Sequence, residues 1–135
     1  MVVSKSKLFS LLLICFFGTD QLSAYELGDT IECETSSMNF EYVKCKPTNK
    51  IFEVTDILQD GWIAVNNHAV YVTFKKVKNS QKVMRCLESN RFPNYLGACK
   101  SNNFDQPKTW LKEEAIKNGW KFTLAIGDTV YYVKE

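Results

Sequence analysis

The chain has few of the side chains and motifs that enzymes use for catalysis. Its 135 residues include one histidine, His68. The sequence contains no G-x-S-x-G nucleophile motif, no H-E-x-x-H zinc motif and no glycine-rich phosphate loop. Its acidic residues are spread singly, so no carboxylate pair is nominated for glycoside hydrolysis. No catalytic residue is therefore assigned, and a small extracytoplasmic hydrolase is the third of three functions considered.

A surplus of charge of either sign is also missing. Lys and Arg number 17 against 15 Asp and Glu, which gives a net charge of +2. Binding to nucleic acid or to an anionic membrane surface needs clustered positive charge. One basic stretch, from Lys75 to Arg85, is interpreted as a solvated strand end and turn. We expect no nucleic-acid partner.

The cysteines are not spaced as metal ligands. Four of them form a C-x11-C and a C-x12-C pair rather than the C-x2-C pairs of zinc ribbons. No dense run of oxygen ligands for calcium is present either. The sequence predicts neither a metal site nor another cofactor.

Only one long apolar run occurs, and it lies at the N-terminus. Leu8–Phe17 is about ten residues long, half of what a membrane span needs. It follows Lys5 and Lys7 and precedes Ser23-Ala24, the order of a secretory signal peptide. We therefore predict a signal peptide over residues 1–24, a single exported domain over 25–135 that is periplasmic or secreted, and no membrane span. A lipoprotein with Cys15 as the lipidated residue is the alternative.

Two stretches of the exported chain repeat one skeleton of Cys, Ser, Phe, Tyr and Cys-Lys. The first is Cys33–Lys46 and the second is Cys86–Lys100, and a Gly-Trp pair and a β-like run follow each. This pattern indicates a degenerate tandem duplication, with units over about 28–78 and 81–134. An even number of cysteines in an exported chain predicts two disulfides. Four cysteines allow three connectivities, of which the repeat favours Cys33–Cys45 and Cys86–Cys99.

The predicted fold is α+β: a small disulfide-stabilised domain of mainly antiparallel hairpins with at least one helix. Strands are predicted at Thr30–Thr35 and Phe40–Lys46, with a hairpin turn at Asn66–His68. Residues 107–118 have the best helical pattern, with Asp105 as a cap and Pro107 at the start. Residues 51–58 fit a strand by composition and a helix by the spacing of their apolar residues, and both interpretations stay open.

Aromatic residues are the strongest departure from average composition, with nine Phe, six Tyr and three Trp. We expect the tryptophans to fill the core. Rigid aromatic side chains on disulfide-held loops make a good recognition surface, because they offer large contact area at small entropy cost. The candidate binding residues are Phe40, Tyr42, Phe92 and Tyr95. The function expected first is binding of a protein partner, as an inhibitor, an immunity-type protein or an envelope accessory protein.

One segment resembles a known family. Residues 51–77, with Asp60-Gly61-Trp62 between two β-like runs, resemble the bacterial SH3-like modules that bind cell-wall peptides. The resemblance implies a glycan- or cell-wall-binding module as the second function. The oligomeric state is left open, since unpaired edge strands would allow a dimer.

Overall fold

The computed structural model describes residues 22–36 and 39–135. Most of the predicted signal peptide therefore lies outside the described residues. Its last part, Leu22–Ala24, forms a single 3-10 turn. Leu22 and Tyr25 pack against a hydrophobic core, and Tyr25 also makes an edge-to-face contact with Trp62, with ring centroids 5.3 Å apart.

The described chain from residue 30 onward folds into two consecutive units. The first unit consists of β1 (Thr30–Thr35), β2 (Tyr42–Cys45), β3 (Lys50–Glu53), α1 (Val54–Gln59), β4 (Trp62–His68) and β5 (Tyr71–Lys76). The second unit consists of β6 (Lys82–Ser89), β7 (Phe92–Lys100), β8 (Lys108–Leu111), α2 (Lys112–Lys117), β9 (Lys121–Ile126) and β10 (Thr129–Lys134). The domain is thus β-rich and antiparallel, with two short helices.

Both units have the same topology. The strand order is β3-β2-β1-β5-β4 in the first sheet and β8-β7-β6-β10-β9 in the second. Each helix lies between the third and fourth strands of its unit. The tandem duplication stays a prediction, and the shared topology agrees with it.

A disulfide joins the first two strands of each unit. Cys33 and Cys45 lie directly opposite each other on β1 and β2, and Cys86 on β6 is bonded to Cys99 on β7. All four are at most 3% exposed, because strand alternation turns them inward while their neighbours face solvent. The predicted pairings Cys33–Cys45 and Cys86–Cys99 are confirmed.

The predicted helix over 107–118 is wrong in its first half. Lys108–Leu111 is strand β8, and the helix covers Lys112–Lys117. Trp110 pairs with Leu96 of β7 and is buried in the core. Packing of this indole in a sheet therefore overrides the local helical pattern. Asp105 and Pro107 precede a strand, and the helix N-cap is Leu111, without a side-chain hydrogen bond.

Both interpretations of residues 51–58 are partly correct. The segment begins in β3 and continues in α1, with Glu53 as the extended N-cap residue. Its apolar spacing marks the helix, where Val54, Ile57 and Leu58 are fully buried. The second unit repeats this succession of strand and helix in β8 and α2.

Two other segments are strands rather than turns or loops. Asn66–His68 belongs to β4, and the hairpin turns at Ala69-Val70, where Ala69 has a φ of 56°. In the second unit, most of the disulfide-held segment expected to be a loop is strand β7, which carries bulges in its pairing with β6. The predicted binding residues of this segment consequently lie on a strand.

The second sheet is buried on both faces where it meets the first unit. One face of β6, β9 and β10 joins the core of the first unit through Val83, Leu124, Ile126, Tyr131 and Val133. The other face forms the second unit's own core through Met84, Cys86, Val130 and Tyr132, together with Trp110 and Trp120. A continuous apolar run such as that of β10 is what a strand covered on both faces needs.

The first sheet has no such second apolar face. The register places Glu32, Thr73 and Lys75 where the second unit has Arg85, Tyr131 and Val133. Glu32 and Lys75 are exposed. The two units therefore pack in one orientation, with α1 and β4 against the second sheet.

A buried ion pair holds the turn between α1 and β4. Lys76 is 4% exposed, and its Nζ donates to the Asp60 carbonyl at 2.8 Å and to Asp60 Oδ2 at 2.9 Å. The Trp62 indole N–H donates to the same carboxylate oxygen at 3.1 Å. In the second unit Lys134 lies 5.6 Å from the Trp120 ring centroid, but Asn118 stands in place of Asp60.

Replacement of Lys76 by Met is expected to destabilise the protein by about 3 kcal/mol, because a largely buried carboxylate loses its cation. Lys134→Met is the matched control and should cost less than about 1 kcal/mol, the value of an exposed cation–π contact. Urea unfolding followed by tryptophan fluorescence measures both. Equal losses in the two variants would contradict the structural role given to the Asp60–Lys76 pair.

Gly61 lies at a close approach of two backbone segments. Its φ is +94°, and a Cβ added there would be 1.9 Å from the Lys78 carbonyl oxygen. That segment is held in place because the Val77 and Lys78 N–H groups donate to the Gly61 carbonyl. Any side chain at this position must displace the strand end.

Gly61→Ala is expected to cost roughly 4 kcal/mol or more, which combines backbone strain with a steric clash. Gly28→Ala isolates the strain, because Gly28 has a φ of +96° and open space around its Cβ position. This control should cost about 1–2 kcal/mol. Thermal unfolding distinguishes the two, and similar losses of stability would show that the Gly61 contact relaxes freely.

Candidate functional site

All four predicted binding residues are exposed, but they do not form one cluster. The exposed fractions are 42% for Phe40, 38% for Tyr42, 61% for Phe92 and 45% for Tyr95. Phe92 and Tyr95 line one groove on the second unit, and Tyr42 lines another on the first. The Phe40 ring lies against Gly127 in the β9–β10 turn.

The groove on the second unit crosses the outer face of β6, β7 and β8. It has a volume of about 440 Å³ and is lined by Leu87, Glu88, Ser89, Phe92, Tyr95, Gly97 and Thr109. Cross-strand pairs build it, since Leu87 lies opposite Gly97 and Ser89 opposite Phe92. Gly97 has no side chain, so the centre of the groove is open.

Two leucines that sequence reasoning missed enlarge this surface. Leu87 is 54% exposed, and Leu111, the cross-strand partner of Tyr95, is 38% exposed. Phe92 and Tyr95 alone expose roughly 200 Å² of aromatic side chain, if a full aromatic side chain offers about 150–250 Å², and the two leucines add to this apolar area. The alternation around the buried Cys86 was the available signal for Leu87. We call Leu87, Phe92, Tyr95 and Leu111 together the apolar face.

An ion pair borders the groove. Lys112 Nζ lies 2.6 Å from Glu88 Oε2, and the hydrogen bond to this carboxylate raises the pKa of Lys112. Burial raises the pKa of the neighbouring Tyr132, while the positive charge of Lys112 opposes that effect. Glu88 is the one charged residue that lines the groove, and Lys112 neutralises it. The groove therefore offers a ligand mainly apolar contacts.

The corresponding groove on the first unit is more polar. Its volume is about 510 Å³, and it is lined by Glu34, Thr35, Ser36, Asn39, Tyr42, Val43, Lys44 and Ile51. The strand registers place Tyr42 at the position of Tyr95 and Glu34 at that of Leu87. Glu34 and Lys44 are direct cross-strand neighbours. The same framework thus carries a charged groove in one unit and an apolar one in the other.

Polar contacts close the seam between the units. Arg85 Nη1 on β6 donates to Glu41 Oε1 at 2.9 Å, and Thr123 Oγ1 accepts from the Ala64 N–H at 3.0 Å. A polar cleft of about 300 Å³ between α1 and β6 includes Glu53, Asp56 and Lys100 in its lining. His68 lies at the exposed end of β4, opposite Tyr71, and lines none of these grooves.

Comparison with models of protein families, with curated proteins and with solved structures finds no match. Over residues 22–36 and 39–135, no three or more His, Cys, Asp or Glu side chains group as metal ligands. The helices in this part of the chain are too short to cross a membrane. The SH3-like resemblance of residues 51–77 stays a prediction.

The Tyr131 hydroxyl at the seam yields a testable consequence. Tyr131 is fully buried, and its hydroxyl has no hydrogen-bond partner. Burial raises its pKa above the ordinary value of about 10. The folded state therefore keeps the proton at a pH where the unfolded chain loses it, so stability falls as the pH rises above about 10.

Tyr131→Phe is expected to stabilise the protein by about 1 kcal/mol at pH 7, because an unpaired buried hydroxyl is removed. The variant should also lose less stability between pH about 9 and about 11. Urea unfolding across this range measures both effects. Tyr71→Phe, at a position 49% exposed, is the control and should change neither. Destabilisation by Tyr131→Phe at pH 7 would mean that the hydroxyl is paired.

Proposed function

We propose that this protein is exported and binds a protein partner through the apolar face of its second unit. The observation that carries the proposal is the groove formed by Leu87, Phe92 and Tyr95 on strands tied together by the Cys86–Cys99 disulfide. Patches of about 300–600 Å² are the largest on typical monomers and are often functional. An inhibitor, an immunity-type protein or an envelope accessory protein would use such a surface.

Rigidity supports a role in recognition. Tyr95 follows the hairpin turn, and its neighbour Leu96 is fully buried in the second core. The backbone beneath the groove is thus fixed before a partner arrives, which lowers the entropy lost on binding. Two buried disulfides also fit an oxidising, extracytoplasmic compartment.

A duplication gives this arrangement a simple origin. In this proposal, the first unit became the support that covers part of the second sheet. The second unit kept the outer face of β7 and β8 open. Differences at equivalent positions, such as Glu34 against Leu87, then separate the roles of the two copies.

A glycan or cell-wall peptide is the second candidate ligand, and it fits the other groove better. Tyr42, Asn39 and Glu34 lie together there, which combines an aromatic ring with amide and carboxylate groups that bind hydroxyls. The groove on the second unit also offers two aromatic rings, but the other polar side chains that line it are Ser89, Thr109 and Glu88, whose carboxylate is paired with Lys112. A hydrolase is supported less, since His68 lies apart from both grooves.

Tyr95→Ala is expected to reduce capture of the native partner from the envelope or culture fluid of the producing cells by at least about tenfold, the effect of losing a central aromatic anchor. Ile116→Ala is the matched control, because Ile116 is 57% exposed on α2 and outside the groove. Quantitative mass spectrometry of the captured protein is the measurement.

Undiminished capture by Tyr95→Ala would refute the proposed face. Soluble cell-wall fragments provide the other arm of the experiment. Binding of these fragments that Tyr42→Ala abolishes and Tyr95→Ala leaves intact would assign the function to the first unit instead.

A further inference from the structure

One cross-strand position differs in charge between the two units. In the first unit this cross-strand pair consists of Glu32 on β1 and Lys46 just after β2. Glu32 Oε1 lies 3.8 Å from Lys46 Nζ. In the second unit the equivalent residues are Arg85 on β6 and Lys100 on β7, which are direct cross-strand partners. An ion pair in one copy is therefore replaced by two cations in the other.

Two cations side by side on a sheet repel each other and destabilise the pairing. Arg85 is neutralised across the seam by Glu41. Lys100, in contrast, has no ion-pair partner among the described side chains. Glu53 and Asp56 line the same cleft, but neither reaches it. Of the two cations in this row, Lys100 is thus the one without an ion-pair partner among the described side chains.

This cation lies next to the groove. The Arg85–Lys100 row and the Leu87–Gly97 row are two residues apart along β6, which corresponds to about 7 Å. Side chains two residues apart on a strand share one face, so Lys100 and the apolar face belong to the same side of the sheet.

We infer that the partner presents an extended acidic segment to this surface, with an apolar side chain in the groove and a carboxylate on Lys100. An extended chain places residues two positions apart on one side at the same spacing of about 7 Å. A leucine or aromatic residue followed two positions later by Asp or Glu fits both features. This inference rests on the proposed function and specifies the chemistry of the partner.

The test uses two short fluorescein-labelled peptides of β-favouring sequence. One carries leucine and, two positions later, glutamate, and the other has glutamine in place of the glutamate. Fluorescence anisotropy at low salt should show about tenfold tighter binding of the glutamate peptide, as one charge-assisted contact provides. Added salt should remove this preference.

Three variants test whether Lys100 causes the preference for the glutamate peptide. Lys100→Gln should bind the two peptides with equal affinity. Tyr95→Ala should lower the affinity for both peptides by the same factor. Lys46→Gln is the matched control at the equivalent position of the first unit and should leave the preference intact.

Each outcome decides between the two proposals. Equal affinity of the two peptides for the wild-type protein, or an unchanged preference in Lys100→Gln, overturns the acidic segment. If Tyr95→Ala still weakens binding in that case, the apolar face stands as the binding surface. Absence of binding by both peptides, or binding that ignores Tyr95→Ala, overturns both.

Discussion

Burial of the second sheet between two cores is the interaction on which the rest of the structure depends. Its strands β6, β9 and β10 give one apolar face to their own unit and the other to α1 and β4 of the first. Hydrophobic burial of this kind is the main favourable term in folding. Because the first unit covers only these three strands, the outer face of β7 and β8 stays open, and the apolar groove lies there. The position of the candidate site is therefore a consequence of how the two units pack.

The features that the sequence predicted correctly are those encoded by local alternation and by the repeat. The first hairpin, predicted as strands at Thr30–Thr35 and Phe40–Lys46, and the disulfide of each unit, predicted from the repeat, are present in the structure. The helix over 107–118 was misjudged because the burial of Trp110 depends on its pairing with Leu96, fourteen residues away in sequence. Exposure of Tyr95 could be proposed from its position between the cysteines. The roles of Gly97 and Leu111 could not, since they depend on a register that β-bulges shift.

Comparison of equivalent positions shows where the two units differ. Asp60 and Lys76 form a buried ion pair in the first unit, and Asn118 and Lys134 occupy these positions in the second. Thr73 and Lys75 of the polar face of β5 correspond to Tyr131 and Val133 of β10. The frame of strands, helix and disulfide is unchanged, while charge and polarity on its surfaces differ. A single frame can carry surfaces that serve different functions.

The place of β10 in the chain has a consequence for how the protein reaches its folded state. This strand follows the other nine of the described chain, yet it lies between β6 and β9 and contributes Tyr131 and Val133 to the first core and Val130 and Tyr132 to the second. Neither core is complete until β10 has been synthesised. Contacts between such distant parts of a chain form slowly. A chain that lacks this strand therefore lacks side chains of both cores at once, so the two units cannot complete their packing independently.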